Sequence, residues 1–313
     1  MRKLAVVILA AGKGTRMKSD LPKVLHPILG LPMIEYPLRA ARALKPAEIV
    51  VVVGHGGDAV QRVVEPARVR TVFQRRLRGT GDALATALRS LGGFEGRLLV
   101  LNGDMPLVTK EGLRHVLEAH GKRSDCMSVA TFTTSEPGAY GRIVRDHLGR
   151  VMGIAEHKDA SGSVRSIREV NGGVYVIDID AARKITKIKA SGTTGEIYLT
   201  ALVEYLVTRG FTVGGVDLGK ELLQGVNTRA ELASAARTLR GRIVEKHMDR
   251  GVTFLDPETA WIHPDATIGI DSVVYPHVVV EGPCRIGARV RLYPGCRLVN
   301  ARIADDAVVL DAR

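Results

Sequence analysis

Apolar and polar positions divide the chain into stretches of different period. In residues 1–133, short apolar, β-branched runs at 3–9, 48–53, 69–73, 97–101 and 127–133 lack polar alternation, as strands buried on both faces do. Between them a helical period predicts helices at 33–43 after Pro32, 58–64, 81–91 behind a Thr80 cap, and 110–120 behind a Thr109 cap. Strand and helix alternating at this spacing predict an α/β, Rossmann-like domain with a mostly parallel mixed sheet. After residue 134 the pattern predicts strands at 140–157 and 169–178, with turns at His147-Leu148-Gly149 and Asn171-Gly172-Gly173. A helix at 196–208 and a strand at 211–218 follow. This region is expected to form a lid over the carboxyl edge of the sheet.

Residues 229–250 read as one long helix. Thr228 and Glu231 form a capping box, Gly251 stops it, and Leu232, Ala236, Leu239 and Ile243 make an apolar stripe. The last stretch changes period again. Ile262, Ile268, Val274, Val280, Ile286, Leu292 and Leu298 recur every six residues. Four residues after the first six of these stand Ala266, Ser272, Val278, Cys284, Val290 and Cys296, all small or β-branched. The phase then slips by one, and Ile303 with Ala307 restarts it. A hexapeptide repeat predicts a short left-handed parallel β-helix, with Cys284 and Cys296 as core residues of the coil.

Composition narrows the classes. Aromatic residues make up 4% of 313, too few for stacking platforms to dominate. The apolar run 4–11 is short against the ~20 residues of a spanning helix, and it passes into Gly12-Lys13-Gly14 without a cleavage site, so it reads as a buried strand. Three cysteines and no CxxC suit a reducing, cytoplasmic setting. The net charge is +12. Residues 251–313 hold six Arg, six Asp and two Glu, so the excess lies in residues 1–250. Such a surface attracts polyanions. The basic residues are dispersed and no helix-turn-helix or RNA-binding signature accompanies them, which disfavours nucleic acid and favours small phosphates.

The first strand runs into Leu9-Ala10-Ala11-Gly12-Lys13-Gly14-Thr15-Arg16-Met17, at the position where open parallel sheets bind ligands. Glycines admit backbone N–H groups to a phosphate, and Lys13 and Arg16 add charge. Met17 stands where the dinucleotide fingerprint needs its third glycine, and no Gly-Lys-Ser/Thr makes a P-loop. The continuation Leu21-Pro22-Lys23-Val24-Leu25-His26 is more specific. With Gln74…Gly79-Thr80-Gly81, Asn102-Gly103-Asp104, Tyr140-Gly141-Arg142-Ile143, Glu156-His157-Lys158-Asp159, Asn171-Gly172-Gly173, Gly195-Glu196 and Gly225-Val226-Asn227, the chain resembles the sugar-1-phosphate nucleotidyltransferases. More narrowly, it resembles the uridylyltransferase part of the bacterial bifunctional N-acetylglucosamine-1-phosphate uridylyltransferase/glucosamine-1-phosphate acetyltransferases, followed by a truncated hexapeptide-repeat domain.

That resemblance implies a nucleotidyltransferase domain at 1–228, a linking helix at 229–250 and a partial β-helix at 251–313. It implies transfer of the uridylyl group of UTP to N-acetylglucosamine-1-phosphate, with pyrophosphate leaving, for cell-wall and lipopolysaccharide precursors. Arg16 and Lys23 would clamp the triphosphate. Asp104 and Asn227 would hold Mg2+. Gln74, Gly79 and the backbone of Ala11–Gly12 would read uracil, and Gly141, Glu156 and Asn171 the amino sugar. Leu9, Ala10, Thr80, Asn102 and Gly103 complete the expected binding residues, and Tyr140 is expected to pack rather than bind. As single residues, Arg16 and Lys23 also read as surface charge, Asp104 as a turn residue or helix cap, and Asn227 as a cap beside Thr228. Asn102 stands where several relatives carry an aromatic, and Gly172 where Thr or Ser is commoner, so a contact to the sugar is expected to be lost. Another sugar-1-phosphate, such as glucose-1-phosphate, stays open as the acceptor. The resemblance places the acetyl-CoA site in later coils and a neighbouring subunit, so acetyl transfer is not expected of these residues. Full-length relatives assemble as trimers through the coil; a monomer or weak oligomer is expected here.

Overall fold

A strand of seven apolar residues leaves neither face polar, so β1 (Leu4–Ala10) must be covered on both sides. In the computed structural model, which describes residues 3–67, 69–123, 125–158, 160, 162–191 and 195–310, Val6, Ile8 and Ala10 enter one hydrophobic core and Ala5 and Val7 another. The same alternation holds in β2 (Glu48–Val53), where Val51 and Val53 oppose Val50 and Val52. β3 (Arg70–Phe73) is the edge beyond β2. β4 (Arg97–Asn102) splits Leu99 and Leu101 from Leu98 and Val100. Helices α1 (Glu35–Arg42), α2 (Gly57–Val64) and α4 (Lys110–Lys122) cover the first face. Helices α3 (Thr80–Ser90) and α5 (Ala201–Val207) cover the second.

The chain forms two compact units. The first holds the residues up to Leu25 and Met33–Asn227, the second His26–Pro32 and everything from Thr228 onward. In the first, β5 (Met127–Thr133), β6 (Arg142–Arg145), β7 (Val151–Ala155), β8 (Glu169–Asp178) and β9 (Val213–Asp217) complete one sheet. Its order is β9-β5-β8-β4-β1-β2-β3, with β6 and β7 as a hairpin attached to β8. The lid expected of residues after 134 is corrected here. β8 lies inside the sheet, antiparallel to both β4 and β5, and β9 closes one edge parallel to β5. Val170, Val174, Val176 and Ile177 are fully buried, which only an interior strand provides. The turn expected at Asn171-Gly172-Gly173 is an irregularity within β8, where pairing with β5 shifts between Asn171 and Tyr175.

Two local readings also change. Thr80 is the first residue of α3 and Gly79 its cap position; the Thr80 hydroxyl accepts the Leu199 N–H at 3.0 Å. The helix expected at 196–208 begins at Ala201, because residues 197–199 are used elsewhere. Ile197 donates to Arg78 O and accepts from Gly81 N, both at 2.7 Å, so an extended segment satisfies a first-turn N–H of α3. The Thr109 cap of α4 is present, accepting from Gly112 N at 3.1 Å.

The second unit contains α6 (Arg229–Met248) with its capping box: Glu231 N donates to the Thr228 hydroxyl and Thr228 N to the Glu231 carboxylate. The hexads then form a parallel β-helix. Ile262, Val280 and Leu298 stack on one face, Ile268, Ile286 and Ile303 on the second, Val274, Leu292 and Val309 on the third. All thirteen repeat positions from Ile262 to Leu298 are buried. Ser272, polar in an apolar coil, accepts Val290 N and donates to Gly287 O, both at 3.0 Å. Cys284 and Cys296 are buried in this core. Among the described residues no helix is long and apolar enough to cross a membrane.

His247, on the last turn of α6, is buried beside Phe254. Burial, then the charges of Lys246 and Arg250, push its pKa down from 6.5 to about 4. The folded state therefore needs a neutral ring. Above pH 6.5 this costs nothing; as pH falls from 6.5 toward about 4 the unfolded chain takes up the proton first and the second unit loses stability. Thermal melts between pH 7.5 and 4 are expected to show that loss, and His247→Phe to flatten its slope.

Candidate active site

Parallel strands deliver their carboxyl ends to one edge of a sheet. Here β1 ends at Ala10, β3 at Phe73 and β4 at Asn102. Because β8 runs the other way, its amino-terminal half reaches the same edge: Asp178 pairs with Arg97 and Tyr175 with Val100, which carries Asn171 past the end of β4. Two cavities open at that edge. One, of about 320 Å³, is lined by Leu9, Ala10, Ala11, Gly12, Lys23 and Gln74, and further by Gly79 and Thr80. The other, of about 310 Å³, holds Gly141, Glu156, Asn171 and Asn227. Leu9, Thr80, Asn102 and Asp104 line both. The larger cavity on the β9 edge, about 570 Å³, contains none of the expected residues.

Where the cavities meet, the Lys23 ammonium bonds the Asp104 carboxylate and donates to Asn227 Oδ1 at 3.0 Å. The Lys23 and Asp104 side chains are 14% and 16% exposed. Three distant segments thus converge on one point. Gly14 permits it: it sits at φ +62°, and a Cβ there would fall 2.5 Å from Lys23 Cβ. Two hard oxygens already facing a common cation are the donor chemistry Mg2+ takes, with phosphate and water completing its shell. Among the described residues no group of three or more His, Cys, Asp or Glu side chains gathers for a metal.

Gln74 follows β3 and is 5% exposed. Its Nε2 donates to Gly79 O at 3.1 Å and to the Asp82 carboxylate at 2.7 Å. Gly79 stands at φ +93°, and a Cβ there would lie 2.6 Å from Ile197 O. In the second cavity Glu156 accepts the Thr200 hydroxyl at 2.6 Å. Asn171 accepts Gly173 N at 3.0 Å and donates to the Tyr175 hydroxyl at 2.7 Å. Burial is the main reason the Tyr175 pKa is raised, so the phenol stays protonated. Tyr140 lies on this wall and packs its ring edge-on to Phe132, centroids 5.1 Å apart. At Gly172 a Cβ would come 2.9 Å from the Ala130 carbonyl, so a side chain is excluded by packing.

Of the expected residues, Arg16 and Gly103 line neither cavity. Arg16 is exposed on the 3-10 turn Thr15–Met17, and Gly103 donates its N–H to Leu9 O at 2.8 Å. His26, from the same motif as Lys23, belongs to the second unit and bonds Arg229 at 3.2 Å. Asp159 lies outside the described residues. Asp82, Glu196, Tyr175, Tyr198 and Thr200 were missed. Glu196 stands in the motif pair Gly195-Glu196; Tyr175 lies within the strand expected at 169–178, and no local pattern marks Asp82 or Thr200.

A MobA-like NTP transferase domain model matches residues 6–170. The bifunctional protein GlmU of Caldanaerobacter subterraneus subsp. tengcongensis is 39% identical over 311 residues, 99% of this chain and 68% of that protein. GlmU of Acetivibrio thermocellus is 40% identical over 320 residues, covering 100% and 69%. GlmU of Corynebacterium efficiens is 41% identical over 314 residues, covering 98% and 65%. Among solved structures, the inositol-1-phosphate CTP transferase from T. maritima superposes with a TM-score of 0.59 at 18% identity, covering 75% of this chain and 96% of the other. That likeness bears on the fold alone.

Gly79→Ala should strain the loop that carries the Gln74 contact. A non-glycine residue in this conformation costs about 1–3 kcal/mol, and the Ile197 carbonyl adds a steric penalty. The expected result is a lower Tm, measured calorimetrically against wild type.

Proposed function

The chain belongs to the GlmU family and carries its MobA-like nucleotidyltransferase domain, and from that premise we propose that it transfers the uridylyl group of UTP to N-acetylglucosamine-1-phosphate, releasing pyrophosphate. The observation that carries this reading is the pair of adjoining cavities sharing Asp104. One takes the nucleoside triphosphate along the Leu9–Gly12 turn, the other the sugar phosphate, and the reacting groups meet between them. The transferase chemistry is assigned to residues 1–228.

The nucleophile is a phosphate monoester whose second pKa is about 6, so it is ionised at pH 7 and needs no general base. What remains is positioning and charge stabilisation. Lys23, held by Asp104 and Asn227, places a cation where the α-phosphate charge develops. Arg16, exposed at the mouth of the loop, meets the departing pyrophosphate. Asp104 and Asn227 are the residues that would hold Mg2+. When bound, the ion neutralises phosphate oxygens and orients them for in-line displacement. Gln74, Gly79 and the backbone at Ala11–Gly12 bind the base. Glu156 and Asn171 are held by Thr200 and Tyr175 to bond the sugar hydroxyls and acetamide. The deciding assay combines each nucleoside triphosphate with each sugar-1-phosphate and Mg2+ and measures pyrophosphate.

UTP with N-acetylglucosamine-1-phosphate should be the best pair. Glucose-1-phosphate should be poorer by roughly tenfold or more, because a site built around the acetamide leaves polar groups unpaired without it. Equal turnover of the two sugars would move the acceptor to a broader class of sugar phosphate.

Asp104→Asn and Arg16→Ala should each lower kcat by on the order of 10²–10³, the loss typical of one contact to developing charge. Asp104→Asn should also raise the Mg2+ concentration needed for half-maximal rate. A near-normal kcat would remove that residue from the mechanism.

A further inference from the structure

Gln74 carries an amide, and an amide can offer a base either a donor or an acceptor. Its environment removes that freedom. Both groups bonded to Nε2, the Gly79 carbonyl at 3.1 Å and the Asp82 carboxylate at 2.7 Å, accept hydrogen bonds. A carbonyl cannot donate, and neither can an ionised carboxylate. The NH2 end must therefore face them, and chemistry alone settles the orientation. Both N–H groups are then used. Oε1, an acceptor, is the remaining polar atom of a side chain that is 5% exposed and lines the nucleotide cavity.

We propose that Asp82 is a positioning residue that fixes the Gln74 amide so that it presents only an acceptor to the base, selecting pyrimidines with a ring N3–H over cytosine. This rests on the reading of the first cavity as the nucleoside triphosphate site. Uracil and thymine carry a donor at N3; cytosine carries a lone pair there. An amide free to rotate by half a turn accommodates either base. Held by a carboxylate, it pairs with N3–H and sets its oxygen against the cytosine lone pair. Asp82 sits in the first turn of α3, where a negative charge is favourable, and its backbone carbonyl also accepts the Thr86 hydroxyl at 2.9 Å. Asp82 itself does not line the nucleotide cavity, so its carboxylate acts on the base through Gln74.

The test compares kcat/KM for UTP, dTTP and CTP, with N-acetylglucosamine-1-phosphate as acceptor, in the full chain. Wild type should prefer UTP over CTP, with dTTP on the UTP side apart from any effect of its missing 2′-hydroxyl. Asp82→Ala should lower the UTP:CTP ratio at least tenfold, mainly by raising CTP turnover relative to UTP. Asp82→Asn, which keeps an acceptor oxygen of the same reach, should restore most of the ratio. Gln74→Ala should lower the ratio too, and adding Asp82→Ala to it should change the ratio no further. A melting curve on each variant verifies folding. An Asp82→Ala ratio within twofold of wild type, even with a lower overall rate, would reduce Asp82 to a structural role and overturn the proposal while the uridylyltransferase reading stands. A further fall in the double variant would likewise overturn it, since Asp82 would then act other than through Gln74. A wild-type enzyme that turns over CTP and UTP equally, or neither, would overturn both.

Discussion

Reversal of a single strand organises the first unit. β8 lies antiparallel between β4 and β5, so its beginning, not its end, reaches the edge where β1, β3 and β4 finish. A parallel β8 would bring Asp178 to the site and send Asn171 to the opposite edge. The approach is close: at Gly173 a Cβ would fall 2.7 Å from Asn102 Nδ2. This closeness makes the two cavities adjoin, with Asn102 and Asp104 common to both. The site is thus a property of strand direction before it is a property of any side chain.

Charge is arranged on the same principle. The excess of positive residues in the first 250 positions does not crowd into the cavities. At their junction one ammonium is matched by a carboxylate and an amide oxygen. On the proposed reading, such partly buried, mutually bonded groups need little reorganisation when a phosphate arrives, which is where electrostatic catalysis gains most over water. Arg16 stays exposed on its short turn and lines neither cavity.

Around the cavity lined by Gln74 and Gly79, tertiary partners replace local ones. The start of α3 has no side-chain cap; one of its first-turn N–H groups, that of Gly81, is satisfied by Ile197 O. The Thr80 hydroxyl that a local rule would assign to capping instead holds Leu199 N. The loop is therefore bonded to a segment more than a hundred residues away, through Arg78, Thr80 and Gly81.

The chain's periodicities settled most of the architecture. The largely apolar, β-branched runs at 48–53 and 127–133 became strands with those same bounds, and six-residue spacing put every repeat position from Ile262 to Leu298 into the coil core. These are local regularities: a period of two, 3.6 or six exposes one face or none, and burial follows. The motifs that carry the family resemblance likewise marked Lys23, Gln74, Asp104, Glu156 and Asn171, all of which line the two cavities. What the sequence left open were matters of direction and partnership. It could not say that β8 enters the sheet reversed, that Thr80 serves a distant N–H, that Gly172 is glycine for want of room, or that Asp82 orients Gln74. Each depends on atoms brought together across tens to hundreds of residues, and a local pattern contains no term for such contacts; only the folded sheet decides which groups meet.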